Sequence, residues 1–302
     1  MHKYLRAIGF SSIKKRKEYE GLIRFCAQDA TDRVYTTKVP PLSKDESEDS
    51  MLAVYCRDFA NGIGLAVCGE YDEENRFSYD YCFPYLRGNG ITSYEDITIE
   101  RHSEKESYAG ICDDIKVGVT LIFYLQNMIP YIKAKNMGAL PMKGTSLTLS
   151  ALSCQGSIMM PLKKDEKDIL KNKKASVSRI QLMKAARMGD EEAIESLTLE
   201  DMDTYTSISK KIHQNDIYTI VDTYFMPYGV ECDLYSIMGE ILECEELENS
   251  VTNEKLMKMK LLCNELTFDV CINKQDLFGE PQIGRRFKGV IWLQGYINFP
   301  QQ

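Results

Sequence analysis

The stretch RRFKGVIWLQGYINF, residues 285–299, decides how the chain folds. Phe287, Ile291, Leu293 and Ile297 fall on one side of an extended chain, because side chains of a strand alternate with period two. The other side carries Arg286, Lys288, Trp292, Gln294 and Tyr296. Working backward, LTFDVCIN (266–273) repeats the alternation, with Leu266, Phe268, Val270 and Ile272 on one face. EKLMKMKLLCN (254–264) and GEILECEEL (239–247) add two more β-rich runs, and Ile217 to Phe225 can supply another. Ser250 to Asn253 reads as a turn, and Gly279 to Gly284 breaks the chain before the last run. Residues 216–302 are therefore expected to form a small closed or partly open β-barrel. In strand count and glycine placement it is similar, at fold level only, to an oligonucleotide/oligosaccharide-binding (OB) barrel.

Upstream, residues 1–162 predict an antiparallel sheet with a few helices against it. Tyr19, Leu22, Ile23, Cys26 and Ala30 keep helical spacing between Lys14 and Ala30. Strand-like runs follow at Met51 to Phe59, Gly62 to Tyr71, Arg76 to Pro84, Asp96 to Arg101 and Ile115 to Leu125, with a turn at Asp72 to Asn75. A short helix is expected over Asn127 to Asn136, with Pro130 in its first turn and Gly138 as its stop. SLTLSALSCQGSIMMPL (146–162) reads as a hairpin turning near Gln155-Gly156. Residues 163–215 form a basic linker and a helical hairpin. There Gly189 suits a left-handed C-terminal position, and Asp190 can cap a helix that has Glu191 and Glu192 in its first turn. The class is thus α+β, with domains at 1–162, 163–215 and 216–302.

Charge follows the same division. The chain has 302 residues and a formal net charge of −8. Residues 163–188 carry nine Lys/Arg against three Asp/Glu, whereas residues 189–302 carry nine against 21. The lysine-dense junction can serve an acidic partner or nucleic acid, or can simply be a solvated linker. The acidic C-terminal third disfavours duplex binding, which depends on basic surface. MHKYLRAIGFSS is followed by no apolar stretch of signal-peptide length, so a soluble, cytoplasmic protein is expected, with no membrane partner. Ten cysteines, never spaced CxxC, then read as reduced thiols in apolar runs. Three isolated histidines give no metal-site spacing.

Most catalytic patterns fail on inspection. Ser11-Ser12-Ile13-Lys14 has SxxK spacing without the accompanying SDN and KTG elements. GALPMKGT (138–145) lacks the ending that brings lysine and hydroxyl to one phosphate, and Gly62-Ile63-Gly64 has no third glycine. Asp113-Asp114 can act as an acid/base pair if the strands bring His102 and Tyr108 beside it, although acidic pairs in turns are more often solvated. Glu243, Glu245, Glu246 and Glu248 read as a solvated strand edge. No catalytic residue, metal ligand or cofactor signature is assigned. The best candidate surface is the outer side of the last strand. There Arg286, Lys288, Trp292 and Tyr296 interleave cations and rings that can stack on and neutralise a single-stranded nucleic acid or another aromatic anion. The alternative is that this side packs against the rest of the chain, with Trp292 as a buried anchor.

Four segments, MHKYLRAIGF (1–10), AARMGDEEAIESL (185–197), VDTYFMPYGVECDLYSIMGEI (221–241) and GRRFKGVIWLQGYINF (284–299), resemble a family of uncharacterised proteins from clostridial Firmicutes, a domain of unknown function. The resemblance covers nearly the whole chain. It implies no reaction, substrate, cofactor or site residue.

The sequence therefore favours a non-enzymatic intracellular binding or regulatory protein that holds a partner protein or small ligand. A single-stranded nucleic-acid binder using the barrel is the first alternative. A hydrolase or transferase with an unfamiliar site near Asp113, Asp114 and His102 is the second.

Overall fold

The computed structural model describes residues 2–36, 51–101, 107–114, 120–140, 143–162, 178–212, 221–230 and 232–300. In it the alternating C-terminal runs become strands, and five strands close a barrel. Four come from the expected region: β10 (Leu234–Glu248), β11 (Lys255–Cys263), β12 (Leu266–Asn273) and β14 (Arg286–Asn298). The fifth is β8 (Ser146–Met159), a single 14-residue strand where a hairpin was expected. Gly156 does not turn the chain. Phe287 of β14 lies over it, so closely that a Cβ at Gly156 would stand 2.3 Å from the ring. Around the barrel β8 is parallel to β12, and the pairs β12–β11, β11–β10, β10–β14 and β14–β8 are antiparallel. The barrel thus draws strands from both sides of residue 162. Leu261, Phe268, Val270, Phe287, Ile291 and Leu293 fill it, none more than 1% exposed.

The second sheet has the order β1-β2-β3-β4, from β1 (Asp32–Tyr35), β2 (Met51–Ala60), β3 (Ile63–Tyr71) and β4 (Phe77–Leu86). Each neighbouring pair is antiparallel, and three of the four strands were legible as β-rich runs. Helix α1 (Arg16–Gln28) lies against β2 and β3 through its buried Leu22, Ile23 and Cys26, the residues whose spacing predicted it. Strands β5 (Ile97–Arg101), β6 (Tyr108–Cys112) and β7 (Leu121–Leu125) extend the barrel sheet from β14, joined by a short parallel β7–β14 contact at Tyr124 and Gln294. Helix α2 (Met128–Asn136) follows β7 directly, close to the expected bounds. Strand β6 had no clear signal in the sequence reading.

The helical pair forms as anticipated, with α3 over 178–187 and α4 at Glu191–Ile212. Gly189 sits at φ +88°, and the Ala193 amide donates to Asp190 Oδ1 at 3.1 Å, so the stop and cap are the residues read from sequence. Short strands β9 (Tyr224–Pro227) and β13 (Leu277–Phe278) flank the barrel, pairing with β10 and β8. The linker residues 163–177 lie outside the described residues. The protein is α+β with a closed β-barrel. Among the described residues, no helix is long and apolar enough to cross a membrane.

Candidate ligand-binding cleft

The four residues picked from the last strand do not form one exposed surface. Trp292 is 5% exposed. The N-terminal 3-10 turn Lys3–Ile8 covers it, with Tyr4 stacked at a ring-centroid distance of 5.3 Å and Tyr124 at 5.1 Å on another side. Its indole N–H donates to Asp233 Oδ2 at 2.6 Å. Arg286 is also buried. Its guanidinium donates to the carbonyls of Met160 and Val221 at 3.0 and 2.7 Å, and burial holds its pKa below the usual value. It ties the barrel to two neighbouring segments. Lys288 is half-buried, and only Tyr296 is exposed. The reading of Trp292 as a packing anchor is the arrangement observed.

Tyr296 instead lines a cleft between the four-stranded sheet and the region where α2 meets the barrel. The cleft has a volume of about 320 Å³. The face of the sheet opposite α1 forms one wall. Register places Asp32, Cys56, Ala66 and Phe83 in one row across the four strands, with Val34 and Val54 one row along. Met128, Ile129 and Pro130 at the start of α2 form the facing wall, and Gln126, Thr148, Tyr296 and Asn298 supply polar groups at the barrel end. Pro130 in the first turn of α2 needs no amide partner there, which is why a proline can stand at this edge.

Among the described residues, Arg87 is the cation that lines the cleft. It follows β4, and its guanidinium carbon lies 5.3 Å from the Tyr85 ring centroid. Asp58 Oδ2 is 3.7 Å and Asp32 Oδ2 3.9 Å from its terminal nitrogens, inside Coulombic reach but beyond hydrogen-bond length. Burial pushes the Arg87 pKa down, but Tyr85, Asp58, Cys56 and Asp32 together outweigh it and raise it. Tyr85 is held in turn, since its hydroxyl donates to Asp58 Oδ1 at 2.5 Å. That bond crosses β3 at Gly64, where a Cβ would meet the Tyr85 hydroxyl at 2.4 Å. Gly64, noted in the sequence for a dinucleotide pattern it does not complete, thus lets a tyrosine lie across the sheet. Cys56 beside Arg87 is no nucleophile at neutral pH, because burial pushes its thiol up to about 12.

Gln126 binds the cleft to the barrel. Its amide nitrogen donates to Leu86 O at 2.9 Å and to Gln294 Oε1 at 2.8 Å. Gln294, fully buried, donates to Pro84 O at 2.8 Å and accepts from the Leu86 amide. These bonds satisfy the edge of β4 without a further strand and fix the two sheets against each other.

The carboxylate pair does not act as a unit. Asp114 is 1% exposed and accepts from Ser93 Oγ at 2.5 Å, whereas Asp113 accepts from the Thr120 hydroxyl on the exposed side. His102 lies outside the described residues. Ser11 donates its hydroxyl to Glu254 at 2.8 Å, which gives the SxxK match a structural use. Glu243, Glu246 and Glu248 are exposed and pair with Lys260, Lys274 and Lys255. Among the described residues no three His, Cys, Asp or Glu side chains are placed to hold a metal ion. All ten cysteines are free, six of them buried.

Sequence reading missed Asp32, Tyr85, Arg87 and Gln126. Tyr85 and Arg87 sit together at the end of β4, but Asp32 and Gln126 come from distant parts of the chain, and no spacing in the sequence links the three places. Comparisons with curated proteins and with solved structures give no match. One family model does match, over residues 5–295, and it is described as "Domain of unknown function, E. rectale Gene description (DUF3881)". The chain therefore belongs to this family, a domain of unknown function named after E. rectale, a clostridial Firmicute.

Proposed function

We propose that the protein is a non-enzymatic, cytoplasmic binding or regulatory protein that holds a small ligand in the cleft beneath Arg87 and Tyr296. The observation that carries this reading is the cleft itself. It pairs apolar walls with a few convergent polar groups, the usual composition of a small-molecule site, and its volume sits at the low end of the roughly 300–1,000 Å³ such sites occupy. The catalytic alternative has less support, since the side chains of Asp113 and Asp114 are directed to different partners.

The barrel is read here as OB-like in its finer topology. Strands β10, β11, β12, β8 and β14 follow one another in the neighbour order and directions of an OB barrel, with the parallel pair at β12–β8 and with β8 moved to the start of the chain. Nucleic acid remains the weaker ligand for it. The outer side of β12 is occupied by the chain itself, with Asp269 accepting from the Asn89 amide at 2.7 Å and Cys271 Sγ reaching the Ala7 carbonyl. Trp292 is likewise spent on packing.

The test is native mass spectrometry of the full chain purified gently from its own host. A reproducible retained mass of small-metabolite size is expected, lost in Arg87→Ala/Tyr296→Ala. A retained oligonucleotide, or a small mass that the double variant keeps, overturns the cleft reading.

A further inference from the structure

Resting on the cleft as the ligand site, we infer that its ligand is a zwitterion, an α-amino acid with an apolar side chain, carboxylate on Arg87 and ammonium on Asp32. Three observations meet here. First, the guanidinium of Arg87 is not consumed by its own carboxylates, which stand 3.7 and 3.9 Å away, so its fork of N–H donors can take a ligand carboxylate side by side. Its side chain is 43% exposed and that of Asp32 54%, so both are reachable.

Second, among the described residues the charges that line the cleft come as one of each sign. Asp58 neutralises Arg87 but does not line the cleft, and one of its oxygens already accepts from Tyr85. Arg87 and Asp32 remain as the lining cation and anion, adjacent to one another. A ligand bearing only a negative charge would approach Asp32 as it approached Arg87. A ligand bearing only a positive charge would meet the reverse. Opposite charges carried on one carbon match both, and give each a hydrogen-bonded partner where Arg87 and Asp32 now face one another at 3.9 Å.

Third, what lies next to this pair is apolar. Val54, Ala66 and Phe83 on the sheet and Met128 and Ile129 on α2 offer a surface for a hydrocarbon or aromatic side chain. The cleft is small, so a nucleotide coenzyme does not suit it while an amino acid does.

Isothermal titration calorimetry of the intact protein, at low salt and neutral pH, tests this with L-leucine, L-methionine and L-phenylalanine. Each is compared with its amide, which lacks the carboxylate, and its N-acetyl derivative, which lacks the ammonium. At least one free amino acid is expected to bind, with the amide and N-acetyl forms tenfold or more weaker. Arg87→Ala and Asp32→Asn should each weaken the free amino acid at least tenfold. The ligand series needs no protein variant, so misfolding of a variant does not blunt the test. Equal binding of the N-acetyl derivative overturns the role of Asp32, and equal binding of the amide overturns that of Arg87. No heat from any apolar amino acid at millimolar concentration overturns the inference. In that case a different small mass retained in native mass spectrometry leaves the cleft reading standing, and a bare chain removes both.

Discussion

Trp292→Ala should destabilise the protein without touching the cleft. The indole is 5% exposed, contacts the rings of Tyr4, Tyr124 and His2 at centroid distances of 5.3, 5.1 and 4.7 Å, and donates to Asp233. Truncating a buried large aromatic costs about 3–5 kcal/mol. Trp292→Phe keeps a ring but loses the charged hydrogen bond, with a smaller expected loss of about 1.5–3 kcal/mol. In urea, with an m-value of about 3 kcal/mol/M, the alanine variant should unfold about 1–1.7 M earlier when followed by far-UV circular dichroism. The wild type carries its own reporter, since Trp292 is the only tryptophan in the chain. Its native emission should be blue-shifted and shielded from acrylamide, and both properties should vanish on unfolding. Native fluorescence quenched as readily as that of the denatured chain would refute the anchor argument. So would an alanine variant with an unchanged midpoint.

Two further outcomes follow from buried groups. Asp269 is 2% exposed, and burial raises its carboxyl pKa above the usual value, against the Asn89 amide and the attraction of Lys258 and Lys260 and alongside the repulsion of Glu243. A carboxyl whose folded pKa lies above its unfolded one binds more protons when folded, so stability falls as pH rises from the ordinary carboxylate value through the folded value. Asp269→Asn should remove that slope, seen as a flatter plot of urea midpoint against pH; an unchanged plot counts against the burial argument. Among the thiols, Cys232 and Cys244 are exposed, while burial pushes Cys26, Cys263 and Cys271 up to about 12. Ellman's reagent at pH 8 should therefore show a fast phase of two thiols in the native protein and all ten after denaturation. A fast phase of more than two thiols would contradict this packing.

The barrel and the helical hairpin were legible because each rests on local chemistry. Strict alternation in β12 and β14 marks an extended strand with one apolar face, and Gly189 followed by Asp190 stops one helix and starts the next whatever surrounds them. The same holds for α1 and α2, each within a few residues of its expected bounds. Where the sequence misled, a local signal competed with a distant partner. Gln155-Gly156 looks like a turn, yet Gly156 is small because Phe287, 131 positions later, lies on it. The Arg286 and Trp292 face looks like a binding surface, yet the N-terminal turn and residues 221–222 cover it.

What the sequence by itself determined was most of the strands and the helices, where charge accumulates, and the family to which the chain is similar. Only the tertiary structure decided which strand closes the barrel, which side of β14 is sealed, and that Asp32, Arg87, Gln126 and Tyr296 meet around one cleft. The physical reason is range. Backbone periodicity and capping act over a few residues, whereas a cleft is made by side chains from separate elements whose contact depends on every packing choice between them.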